Sequence, residues 1–130
     1  MVDNVQLSTL GTVIRTAHEG LSDSAFKKYL GSNLQTGTTY TLVLGDAGEI
    51  VEMNNASANT LTVPPNSSVA FPVNTRIDIN QHGAGLTTVA AGAGVTVRSL
   101  TGLVSQGQYA GMSLWKRATD EWVLYGGTTA

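Results

Sequence analysis

The residues able to do chemistry in this chain are few and scattered. Its two histidines, His18 and His82, stand far apart, and no HExxH pair accompanies them. With no cysteine at all, thiolate catalysis, disulfides and Cys-based zinc sites are excluded together. Carboxylates gather at Asp46, Glu49 and Glu52 and again at Asp120-Glu121. A glycosidase needs two such groups facing each other across a cleft. Asp46 falls in a turn and Glu52 on the polar face of a strand, where solvation accounts for both. Serines abound without a G-x-S-x-G elbow. Gly83-Ala84-Gly85 and Gly92-Ala93-Gly94 lack the Gly-Lys-Ser/Thr of a phosphate loop and the GxGxxG-to-helix context, which leaves tight hairpin turns. The expectation is a non-enzymatic protein with no cofactor and no metal.

One aromatic-basic group remains. Trp115, Lys116, Arg117 and Trp122 could offer a surface to a bacterial glycan, with Trp115 and Trp122 as the contacts. Large aromatics are mostly buried, however, so the favoured reading has both rings closing the core and the two basic residues solvated. A carbohydrate-binding module is the alternative function.

Composition narrows the class further. Hydrophobic residues make up 42% of the 130, enough for a core, while only 12% are charged, about half the usual ~25%. A surface covered by Thr, Ser, Asn, Gln and Gly suits β-structure that packs against copies of itself. Net charge is −2, and Lys27-Lys28 and Lys116-Arg117 are the basic pairs, too small a footprint for nucleic acid. No apolar run approaches the ~18–20 residues of a membrane span, and the opening MVDNVQLSTLGTVIRT has no basic region of the kind that begins a signal peptide.

These residues must be positioned by two unlike segments. In residues 1–33, Val5, Leu7, Leu10, Val13 and Ile14 fit neither period of two nor of 3.6, which suggests an extended arm. Residues 22–31, SDSAFKKYLG, predict one short helix, capped by Ser22, with Lys27 and Lys28 in its last turn and Gly31 beyond it. Its face of Phe26, Tyr29 and Leu30 is too short to stand alone and must pack on the β-domain or a neighbouring subunit. These eight apolar residues are the expected attachment or oligomer contacts.

From residue 34 to 130 the signals are those of strands. Val51 and Met53 alternate against Ile50 and Glu52; Leu61 and Val63 precede Pro64-Pro65; Val69, Phe71 and Val73 alternate; Ile77 and Ile79 point inward. Residues 109–116 and 121–125 predict a closing hairpin around Ala118-Thr119-Asp120, across which Trp115 and Trp122 could meet. Eight or nine short strands predict a mainly β fold, an antiparallel β-sandwich or jelly-roll-like domain.

The run TYTLVLGDAGEIVEMNNASANTLTVPPNSSVAFPVNTRIDINQHGAGLTTVAAGAGVTV, followed by GQYAGMSLWKRATDEWVLYG, resembles a module of tailed-bacteriophage virion proteins. Asp46 with Gly48, Asn59-Thr60 ahead of Val63-Pro64-Pro65-Asn66-Ser67-Ser68, and Gly83-Ala84-Gly85 carry the likeness. Gly92-Ala93-Gly94-Val95-Thr96, Gln108-Tyr109 and Asp120-Glu121-Trp122-Val123-Leu124 complete it. It covers about residues 38–126. The resemblance implies a non-enzymatic building block on the phage particle surface: a head or tail fibre or capsid-decoration-type protein. Such a protein is made in the host cytoplasm, is often a homotrimer, and partners capsid or tail proteins.

Overall fold

The computed structural model describes residues 31–130. The expected arm and helix, with Val5, Leu7, Leu10, Val13, Ile14, Phe26, Tyr29 and Leu30, lie outside the described residues.

Among the described residues, short β-branched runs broken by polar corners form eleven strands. They are β1 (Ser32–Gln35), β2 (Thr39–Thr41), β3 (Ile50–Met53), β4 (Asn59–Val63), β5 (Arg76–Gln81), β6 (Thr87–Ala91), β7 (Thr96–Ser99), β8 (Val104–Ser105), β9 (Gly111–Ala118), β10 (Glu121–Gly126) and β11 (Thr128–Thr129). The ladder begins at Ser32, ahead of the boundary expected after residue 33. No strand forms over residues 69–73, where an alternating one was expected. Phe71 enters the core there while Val73 stays exposed.

Consecutive strands from β1 to β6 do not pair with each other. They alternate between two sheets, and each pairs in parallel with the strand one coil later: β1–β3–β5 in one sheet, β2–β4–β6 in the other. The chain therefore winds about three turns of a β-solenoid. This overturns the expected antiparallel sandwich or jelly roll.

The glycine corners explain why. A two-residue hairpin needs positive φ, yet neither Gly83 nor Gly85 has it. They are glycine for want of space. A Cβ on Gly85 would lie 1.9 Å from the Ser57 carbonyl oxygen, and one on Gly83 would lie 2.5 Å from the Asn55 amide nitrogen. The corner after β5 is stacked on the corner after β3, backbone against backbone. Gly92 is pressed in the same way against the Val63 carbonyl, 2.7 Å from a would-be Cβ. Both Gly-Ala-Gly runs are thus arcs that carry the chain from one sheet to the other.

The C-terminal strands then change direction. β9 adds antiparallel to β5, β10 to β9, and β7 runs parallel to β10, making a six-stranded sheet. On the other side β8 adds antiparallel to β6 and β11 to β8, making five strands. The β9–β10 hairpin is the one expected from the sequence.

Alternate residues of both sheets meet in one core. Val51, Ile77, Ile79, Met112, Leu114, Trp122 and Leu124 come from the larger sheet, Leu61, Val63 and Val89 from the smaller. Parallel register places like on like, with Val51 beside Ile79 and Leu61 beside Val89. The expected inward Ile77 and Ile79 are buried, and of the two faces of β3 it is Val51 and Met53 that face the core.

Candidate functional site

The polar groups divide into those that brace the interior and those left on the outer face. At the stacked corner, Asn59 Nδ2 donates to the carbonyls of Ser57 (3.1 Å) and Gly85 (3.2 Å), and Thr87 Oγ1 donates to Asn59 Oδ1 at 2.5 Å. Ser105 Oγ accepts from the Thr87 amide at 2.8 Å and donates to Gln81 Oε1. Gln81 Nε2 then closes the chain on the Gly83 carbonyl at 2.9 Å. Every member is buried and has a partner. Such a network holds one geometry, because a broken link would leave a desolvated polar atom.

Asp46 was expected in solvent and is instead 1% exposed. Its carboxylate accepts from Tyr40 Oη (2.6 Å), Asn33 Nδ2 (2.8 Å) and the Val43 amide (2.9 Å), binding the first coil's strands to its 3-10 turn. Burial, then the donated bond to Asp46, pushes the Tyr40 phenol far above its ordinary pKa.

Lys116 is a second correction, since it too was expected in solvent and is buried. The alternation of β9 points it inward, facing Trp122 across the hairpin, with the ammonium 5.9 Å from the ring centroid. Its Nζ donates to the Phe71 carbonyl (2.6 Å) and Asn66 Oδ1 (2.7 Å), which fastens the irregular stretch after Pro65 to the hairpin. Burial lowers its pKa, with Asp120 acting in the opposite sense.

The two tryptophans do not meet. Val123 lies opposite Trp115, and Lys116 lies opposite Trp122, so the rings point to opposite faces of the sheet. Trp122 is 1% exposed and packs edge-on against Phe71, its centroid 5.5 Å away, so it cannot touch a glycan. Trp115 is half-buried on the outer face, its Nε1 donating to Asn74 Oδ1 at 3.3 Å.

On that outer face, parallel and antiparallel register align the outward residues in rows across the strands. One row reads Ser32, Ile50, Asp78, Ser113, Tyr125; the next reads Leu34, Glu52, Asn80, Gly111. An open groove of about 500 Å³ follows these rows. Its floor is low at Gly111, which carries no side chain and has open space where a Cβ would stand. Tyr109 and Tyr125 stand over it, 69% and 52% exposed. Tyr109 holds its backbone at φ 68°, costly for a residue with a Cβ, and its amide bonds the Gln81 carbonyl at 2.6 Å. Ser32 Oγ donates to Glu52 Oε2 at 2.8 Å, and Ser113 Oγ donates to Asp78, so both carboxylates are held in place. Asn80 Oδ1 is buried beneath the groove without a hydrogen bond.

The groove was missed because its residues come from strands distant in sequence. Exposed tyrosines at Gln108-Tyr109 and Tyr125 were its visible signal. Among the described residues, no three His, Asp or Glu side chains gather to hold a metal ion, and no helix is long and apolar enough to cross a membrane. No protein-family model matches the chain, and no curated protein matches it either.

Proposed function

We propose that this chain is a non-enzymatic structural component of a bacteriophage particle, a small oligomeric surface protein anchored through residues 1–33. The resemblance of residues 38–126 to virion modules motivates the reading. The observation that supports it best is the use of the interior ionisable groups: Asp46 and Lys116 are both buried and both held by structural hydrogen bonds. They brace the stacked coils, and a fold of low surface charge serves as a building block.

Purified particles test the location. Peptides of this chain should appear in repeated copies per particle, and their absence from intact virions sinks the reading. A solution mass of about 40 kDa, three times the 13.5 kDa chain, is the expected homotrimer. Removing residues 1–30 should leave a folded solenoid that no longer binds the particle. Binding that survives this truncation would refute the anchor.

A further inference from the structure

We propose that the groove between Tyr109 and Tyr125 is a binding site for a neutral saccharide. The site is distinct from the Trp115 and Trp122 pair, of which Trp122 is buried. It stands independently of any location on a phage particle.

The chemistry of the lining selects the ligand. Sugars carry apolar C–H faces that rest on aromatic rings and a rim of hydroxyls that donate to carboxylates and amides. Two exposed phenol rings and Ile50, itself 41% exposed, supply the first kind of surface. Glu52, Asp78 and Ser113 supply the second. The row Glu52, Asn80, Gly111 crosses two inter-strand steps, about 10 Å, which suits two sugar rings laid across the strands.

Charge excludes the competing ligand. Among the described residues no Lys or Arg lines the groove, whereas two carboxylates do. An acidic polysaccharide would meet like charge without a counter-ion, and a phosphate would find no basic partner. A neutral glycan meets no like charge, and its hydroxyls can donate to Glu52 and Asp78. Because Ser32 and Ser113 already fix the two carboxylates, little order is lost on binding. Gly111 keeps the floor open, since a Cβ there would meet nothing within 4 Å and would simply fill the trough.

The test is saturation-transfer NMR and titration calorimetry on the full chain. The probes are maltotriose, cellotriose, mannotriose and tri-N-acetylchitotriose, with trigalacturonate as the anionic comparison, each to about 10 mM. At least one neutral trisaccharide should bind with Kd of about 1 mM or tighter, and trigalacturonate should bind at least tenfold more weakly. Tyr109→Ala and Tyr125→Ala should each weaken binding at least tenfold, Tyr125→Phe should retain it, and Trp115→Ala should leave it unchanged. Gly111→Leu, which fills the trough, should abolish it. Melting temperatures of all five variants report whether each is folded, and a variant that fails to fold is replaced by Tyr125→Ser or Gly111→Val. Silence from every neutral probe overturns the proposal. So does binding indifferent to both tyrosines, or a preference for the anionic sugar. If Tyr109→Ala or Tyr125→Ala instead dissociates an oligomer, the groove is a protein contact and the saccharide site is refuted.

Discussion

The coils and the C-terminal hairpin solve the same problem by different means. In the hairpin, β9 turns at Thr119-Asp120 and pairs with its immediate neighbour β10, so the strand partner lies next in sequence. In the coils, β3 pairs with β5 and β4 with β6, and partners are 28 residues apart. The hairpin is held by local alternation and by an inward Lys116. The coils are held by corners stacked so tightly that only glycine fits. The difference teaches where the fold is brittle: a coil corner has backbone as its neighbour and cannot yield, while the hairpin turn faces water.

Gly85→Ala should therefore produce the largest loss. Its Cβ would strike the Ser57 carbonyl, and we expect about 3–5 kcal/mol from denaturant unfolding. Gly107→Ala is the matched control, with open space around it and no positive φ, and should change stability by no more than about 0.5 kcal/mol. Equal effects at the two glycines would break the distinction.

Lys116→Ala ranks next, at about 3 kcal/mol, because it removes donors from Asn66 and Phe71 and opens space beside Trp122. Lys116→Met, which keeps the stem, should lose less. Burial lowers the lysine's folded pKa below 10.5, so the unfolded chain holds that proton to higher pH. Wild-type stability should then gain from this group as pH rises from the folded pKa toward 10.5, and the methionine variant should lack the gain in pH-dependent unfolding.

Tyr40→Phe probes the first coil and should cost about 1–2 kcal/mol at neutral pH, since Asp46 loses one donor and keeps two. The fold retains the phenol proton above pH 10.0 while the unfolded chain releases it. The bond's stabilisation is thus complete below pH 10.0 and falls above it in wild type, and this fall should be missing in the phenylalanine variant. Smallest is Glu121→Gln. Glu121 sits at the hairpin end, and the hydrogen bonds from Arg98 and Arg117 lower its pKa. Its contribution is present above 4.5 and is lost as pH falls below it, so the variant should show a slightly shallower acid limb.

What could be read in the sequence follows the same division. Period-two alternation marked Ile77 and Ile79 as inward and set Val51 and Met53 apart from Ile50 and Glu52, and Ala118-Thr119-Asp120 marked a hairpin, because these signals are local. Alternation says which face is buried, not which strand lies alongside, so the same pattern fits an antiparallel sandwich and a parallel solenoid. One signal of the solenoid was present. Val51, Asn59 and Leu61 are echoed by Ile79, Thr87 and Val89 at the coil offset, although Met53, Asn55 and Ser57 face the unlike Gln81, Gly83 and Gly85. The first coil breaks that offset, pairing Ser32 with Ile50, and hides the repeat.

By itself, then, the sequence determined a mainly β chain with a sufficient core, little surface charge, no thiol chemistry, the inward Ile77 and Ile79, and the closing hairpin. Those are properties of composition and of neighbours one or two positions apart. Tertiary structure alone decided that the strands stack in parallel, that Asp46 and Lys116 are buried, and that Trp115 and Trp122 face apart. It also decided that Glu52, Asp78, Tyr109 and Tyr125 share one groove. The physical reason is register. Which residues become neighbours across a sheet depends on backbone pairing between distant segments, and that pairing is set by corner stacking and core packing summed over the whole solenoid.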